Sequence, residues 1–171
     1  LAPPVPSPTP TSTLTPTPTP SSPAFDADAA AYLADVITAG GTLDATISAA
    51  TDTLFTSLKS NSLYSKLGAF YPVLGGVAAS HARNGNGNTS FDLTFNNSFT
   101  HGYSGFAVST SSSYAQTGYI PLTEHSGGTM SMGVMTNTLG ISNDKHAIGA
   151  YNAADRYLGF DYYASGVNII G

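Results

Sequence analysis

Cysteine and tryptophan are both absent from this 171-residue chain. Without Cys there is no disulfide framework and no thiolate metal site. Charge is nearly as scarce: 9% of residues are Asp, Glu, Lys or Arg, where about a quarter is usual. The five cations (Lys59, Lys66, Arg83, Lys145 and Arg156) are scattered. This argues against nucleic acid as a partner, because neutralising phosphates requires clustered Lys and Arg. No apolar run approaches the roughly 18 residues of a membrane span, which argues against a bilayer. Glu124 is the sole glutamate. Polarity comes instead from Ser, Thr, Asn and Gly, which hydrate without mutual repulsion. With a formal net charge of −5, such a surface suits copies packed closely together.

Composition divides the chain into three zones: 1–23, 24–76 and 77–171. Nine of the eleven prolines lie in the first, alternating with Thr and Ser. Pro fixes φ and removes an amide donor, so this arm forms neither helix nor interior strand. Its default is polyproline II, on the order of 70 Å long at ~3.1 Å per residue. The arm is expected to lie along a neighbouring subunit, and its Thr-Pro repeats also suit O-glycosylation. Leu1 in place of Met is what a processed product or part of a longer chain would show.

The second zone reads as helical. Phe25-Asp26 looks like a staple residue and N-cap, Tyr32, Leu33, Val36 and Ile37 make an apolar face, and Gly40-Gly41 stop the helix. A second helix is predicted from Thr42 or Asp44 to about Asn61, with the stripe Ile47, Ala50, Leu54, Phe55 and Leu58. A short third carries Leu63, Tyr64, Leu67 and Phe70 before Pro72. These faces read as core or docking surface.

In the third zone the period becomes that of strands. Residues Ser90 to Phe95 alternate polar and apolar. Further strands are predicted over 105–109, 114–120, 129–136, 146–151, 157–163 and 167–170. Turn sequences separate them: Asn84-Gly85-Asn86-Gly87, Asn96-Asn97, Ser126-Gly127-Gly128 and Ser142-Asn143-Asp144-Lys145. The expected fold is α+β, mainly β: an antiparallel jelly-roll sandwich preceded by two or three helices and the extended arm. The apolar strand Val167 to Ile170 ends the sequence, so the sandwich reads as incomplete there, finished by later residues or by another subunit.

Three stretches in order carry a family resemblance: Leu54 to His81 (LFTSLKSNSLYSKLGAFYPVLGGVAASH) with the Asn84-Gly85 that follows, Leu93 to Gly105 (LTFNNSFTHGYSG), and Ser113 to Leu122 (SYAQTGYIPL). They resemble phage virion structural proteins with a concanavalin A-like or laminin G-like sandwich. The resemblance implies a surface part of a virion: a head fibre, a decoration protein or a tail-fibre module. It also implies other virion subunits as partners, an oligomeric state, and a fold that often recognises carbohydrate on cell surfaces. Proteins of this type usually continue past the equivalent of Ile170 with more strands and a C-terminal helix. The lack of Cys agrees mildly with a bacterial or phage source.

Catalysis finds little support in the residues. Sandwich glucanases need two nearby carboxyl groups, but Glu124 stands alone, and Asp92, Asp155 and Asp161 have unsuitable spacing. Gly102-Tyr103-Ser104-Gly105 and the run Thr129 to Gly133 only approach a nucleophile elbow, and adjacency of Ser80 and His81 does not make a dyad. His81, His101, His125 and His146 lie twenty or more residues apart, so no zinc spacing occurs. Asn143-Asp144 and Asn152 with Asp155 have calcium-type oxygens but are equally ordinary turn formers. The sequons at Asn88 and Asn96 matter only in a glycosylating host. The expectation is a non-enzymatic protein without cofactor or metal. Sugar binding, if present, falls to tyrosines, whose rings stack on pyranose C–H faces; the candidates are Tyr103, Tyr114, Tyr119 and Tyr162. The alternatives are a secreted bacterial adhesin that binds carbohydrate and, less favoured, a glycoside hydrolase.

Overall fold

The computed structural model describes residue 2 and residues 24–108, 112–120, 124, 131–135, 145–151, 157–163 and 166–170, the last three segments by backbone alone. Almost all of the Pro/Thr arm, the Ser126 and Ser142 turns and the calcium-type loops lie outside these residues.

Helix α1, Ala27–Thr38, starts where its cap predicts: Asp26 accepts from the Asp28 and Ala29 amides at 3.0 and 3.3 Å. Phe25 remains exposed. At the other end Gly41 N–H reaches Val36 O and Gly40 N–H reaches Ile37 O, both at 2.9 Å. This is a Schellman closure with Gly40 in the left-handed slot at φ +83°. Helix α2, Ala45–Ser60, is capped by Asp44, which accepts from Ile47 N–H at 2.7 Å. It closes in the same way, with Leu63 N–H on Leu58 O and Ser62 left-handed.

The helices meet around Phe55, which is fully buried with Ala29, Tyr32 and Val36. Its ring lies 5.8, 5.6 and 5.4 Å from those of Tyr32, Tyr64 and Phe70. The predicted α2 stripe is turned: Thr51 is buried while Ala50 and Leu54 are exposed. Thr51 folds its hydroxyl back onto Ile47 O at 2.8 Å, which satisfies the hydroxyl and lets the residue occupy the buried face. Ile37 on α1 is likewise exposed rather than packed.

The third predicted helix is reduced to one 3-10 turn, Tyr64–Lys66. Beyond it the Leu67 and Gly68 carbonyls accept instead from the Asn86 side chain, at 3.0 and 2.6 Å, and Pro72 opposes helical backbone at Tyr71. Helix also extends past the expected boundary at residue 76, as the four-residue α3, Ala78–His81. Thr89–Phe91 form a 3-10 turn where a strand from Ser90 was expected.

The strands are β1 Thr94–Asn96, β2 Phe99–Gly102, β3 Gly105–Val108, β4 Tyr114–Gln116, β5 Lys145–Tyr151, β6 Tyr157–Tyr163 and β7 Gly166–Ile170. All pairings are antiparallel: β1 with β4, β2 with β3, and β5-β6-β7 in that order. The fold is thus mixed helix and sheet with small antiparallel sheets, and the described strands close no barrel. Residues 131–135 lie in no regular element, although a strand was expected over 129–136. Strand β2 was not expected at all. Its hairpin turn is Tyr103-Ser104, bracketed by the facing pair Gly102 and Gly105, which is the near-elbow sequence serving as a two-residue loop.

Candidate functional site: a histidine pair in an aromatic cluster

Two consecutive left-handed glycines, Gly75 at φ +92° and Gly76 at φ +79°, bring the chain into α3. Ser80 holds this corner: its buried hydroxyl donates to Leu74 O at 2.7 Å and accepts from Val77 N–H at 3.4 Å. The adjacent His81 is also fully buried. Its Nε2 accepts from Gly76 N–H at 3.1 Å, and its Nδ1 lies 3.0 Å from His101 Nδ1.

These two contacts fix the protonation pattern. A ring nitrogen that accepts from an amide carries no proton, so neutral His81 holds its proton on Nδ1. That proton is donated to His101 Nδ1, which leaves the His101 proton on Nε2. Burial pushes both imidazoles below the ordinary His range, and His101 lowers His81 further.

The pair sits among phenylalanines. Phe99 and His101 share one face of β2, and Phe106 stands opposite His101 in the register. Phe95 of β1 lies 4.7 Å from His101, 5.0 Å from Phe99 and 5.1 Å from Phe106, each edge to face. His81 therefore connects α3 to both the β1–β4 and β2–β3 ladders through five rings. Spacing concealed this pair, since His81 and His101 are twenty residues apart. The usable signal was Phe-x-His before Gly-Tyr-Ser-Gly-Phe, a hairpin with His and Phe in register.

The arrangement does not suit a metal. A liganding imidazole normally donates its other ring N–H to a carbonyl or carboxylate, whereas His81 Nε2 accepts. Among the described residues, no group of three or more His, Asp and Glu is placed to hold an ion. Nor does His81 serve Ser80, because both of its nitrogens are committed elsewhere. The side chains of His125 and His146 lie outside the described residues.

A second cluster surrounds the Asn84-Gly85-Asn86-Gly87 turn. Buried Asn84 accepts from Phe70 N–H at 3.0 Å and donates to Asn88 O at 3.1 Å. Asp92 accepts from Asn84 N–H and from Arg83, both at 2.9 Å. Gly85 is required because a Cβ there would stand 2.5 Å from Phe70 Cε1. Beside this turn is a recess of about 40 Å³, walled by Asp28, Tyr32, Asp35 and Tyr64. Asp28 is engaged by Lys59 at 2.6 Å. Seven residues of helix separate it from Asp35, a rise of about 10.5 Å.

The proposed sugar-stacking tyrosines stand apart in the chain. Tyr103 forms the tip of the β2–β3 turn, 72% exposed, with its ring edge along Gly76. Tyr114 opens β4 opposite Asn96 and is 51% exposed. Tyr119 is half-buried, its ring packed edge-on to Phe91 at 4.9 Å and laid over Gly68. The Tyr162 side chain lies outside the described residues, although its backbone pairs with Lys145 and Val167. Glu124 is exposed. Among the described residues, no helix is long and apolar enough to cross a membrane. No family model, curated protein or solved structure matches this chain.

Proposed function

We propose that this chain is a non-enzymatic structural subunit on the surface of a phage particle, of the decoration, head-fibre or tail-fibre kind. One observation carries the reading: the small sheets leave apolar side chains uncovered. Val108 is 63% exposed, Phe106, two residues earlier on the same face of β3, is exposed with it, and Tyr114 on β4 is exposed as well. A two-stranded ladder is marginal in water on its own, and contiguous exposed apolar surface marks an interaction site. Neighbouring subunits would cover these residues and complete a sandwich of concanavalin A-like type, with the Pro/Thr arm as a further docking element.

The local chemistry supports a structural role. Ser80, His81, Asn84, Asn86 and Asp92 are all spent on backbone groups or on each other, and Asp28 is held by Lys59. The stretches with phage resemblance also contain the framework: Phe55, Phe70 and His81 in the first, β1 and β2 in the second, β4 in the third.

The test is quantitative peptide mass spectrometry on gradient-purified particles from the source. Stoichiometric copies per particle are expected. Absence from particles, with the chain present in culture supernatant, would overturn the virion reading in favour of a secreted adhesin. That second reading draws on Tyr103, whose exposed ring at a hairpin tip is available to stack on a sugar; a glycan array with the Tyr103→Ala variant tests it, and equal binding by both proteins would count against it.

A further inference from the structure

We propose that the His81–His101 contact is an acid-released latch: while both rings are neutral it holds the β2–β3 hairpin against α3, and proton uptake lets the hairpin go. The geometry demands neutrality. The Nδ1–Nδ1 contact at 3.0 Å has room for one proton. Protonating His101 on Nδ1 would set two N–H groups against each other. Protonating His81 on Nε2 would set a ring N–H against the Gly76 amide, 3.1 Å away. Neither cation can form without breaking a hydrogen bond that the closed state requires.

Among the described residues, no nearby carboxylate is free to rescue the cation. The rings packed on the pair are Phe95, Phe99 and Phe106, none of which titrates in this range. Beyond α3, Arg83 and Asp92 neutralise each other at 2.9 Å. Tyr103 lies along Gly76. Helix α1, which packs on α3, brings Tyr32, whose ionisation burial pushes far above neutral pH, and Asp35, which is exposed.

The sign follows by linkage. Both folded imidazoles titrate below the ordinary value of 6.5, so the open state binds more protons than the closed one. The latch is fully present above that value and is lost as pH falls through the folded values. Each proton taken up on opening raises the opening constant by up to about tenfold per pH unit, or about a hundredfold for two.

The experiment is hydrogen exchange by NMR on the full chain from neutral to mildly acidic pH, corrected for the intrinsic pH dependence of exchange. Opening constants for β2 and β3 amides are expected to climb with a slope approaching two protons, while Val36 and Phe55 amides in α1 and α2 stay level. In His101→Phe, which keeps an aromatic ring in the cluster and removes one protonation site, the slope should fall to one proton or fewer. A flat hairpin profile, or an unchanged slope in that variant, overturns the latch. An independent check on the unmutated chain is the ring ¹⁵N spectrum: His81 protonated on Nδ1 and His101 on Nε2 is expected, and either ring charged at neutral pH refutes the proposal.

Discussion

Replacing Asn84 with Ala removes three hydrogen bonds at a side chain that is 4% exposed. Two of its partners recover differently from the third. Asn88, whose carbonyl accepts at 3.1 Å, is exposed and Asn86 N–H is already distant at 3.4 Å, so water replaces much of what they lose, at about 0.5 kcal/mol each. Phe70 N–H, at 3.0 Å in a half-buried position beside Phe55, has no such replacement, and an orphaned buried donor costs about 1–3 kcal/mol. The expected sum is about 2–4 kcal/mol, a large part of the roughly 5–15 kcal/mol that holds a domain together. Urea denaturation should show a midpoint lowered by about 1–2 M for a slope near 2 kcal/mol per molar. Asn84→Asp refines the test, because it keeps Oδ1 but sets a carboxylate oxygen against Asn88 O and adds charge near Asp92. The new carboxyl should titrate above the ordinary Asp value. Its penalty is therefore full above that raised folded pKa and fades as pH falls through it, whereas the Ala penalty should hardly change. An Asn84→Ala variant within about 0.5 kcal/mol of the parent, or an Asn84→Asp gap that ignores pH, would refute the claim that this side chain clasps the fold.

Phe55→Ala empties the centre of a ring cluster and should cost about 3–5 kcal/mol, enough to abolish cooperative thermal unfolding in a core of this size. Gly85→Ala drives a methyl into Phe70 and should cost about 1–3 kcal/mol, while Gly102→Ala, with nothing within 4 Å of the new Cβ, should be near neutral by the same denaturation assay. The Lys59 hydrogen bond chiefly, with those from the Ala29 and Asp28 amides, holds the Asp26 carboxyl below its ordinary value of 3.8. Its contribution is present above that value and lost as pH falls through the lowered one, so Asp26→Asn should flatten the acid limb of α1 helicity measured by circular dichroism. Lys59, raised to about 12 by the same contacts, should stay charged throughout.

Legibility in the sequence followed the range of the interactions. Helix α1 was readable because Asp26, the Tyr32-Leu33-Val36 face and Gly40-Gly41 act within a turn or two of themselves. The α2 stripe is displaced because Thr51, which is not in the predicted stripe, takes the buried face: a hydroxyl bonded to the carbonyl four residues back can be buried. The helix expected over 63–70 failed for reasons no local window contains: Asn86 claims the Leu67 and Gly68 carbonyls from nearly twenty residues away, and Tyr119 occupies the space above Gly68. The histidine pair was hidden in the same way, since it exists only once the β2–β3 hairpin, itself unread, docks on α3.

The scarcity of charge and the abundance of Asn have one physical explanation in the stretch from Leu67 to Asp92. Apart from α3 and a 3-10 turn, this backbone lacks regular structure, yet much of it is buried or half-buried, so its amides and carbonyls need partners. A carboxylate can only accept and an ammonium can only donate, whereas a side-chain amide does both. Asn84 accepts from Phe70 while donating to Asn88 O. Asn86 donates to the carbonyls of Leu67 and Gly68 while accepting from Asn88 N–H. Neutral imidazole has the same double character, which is how His81 accepts from Gly76 and donates to His101 in a place where a cation would fail. Asparagine and histidine here do for an irregular chain what a ladder does for a sheet. Changing either to a residue of fixed charge should therefore harm this fold more than shortening an exposed side chain of the same size.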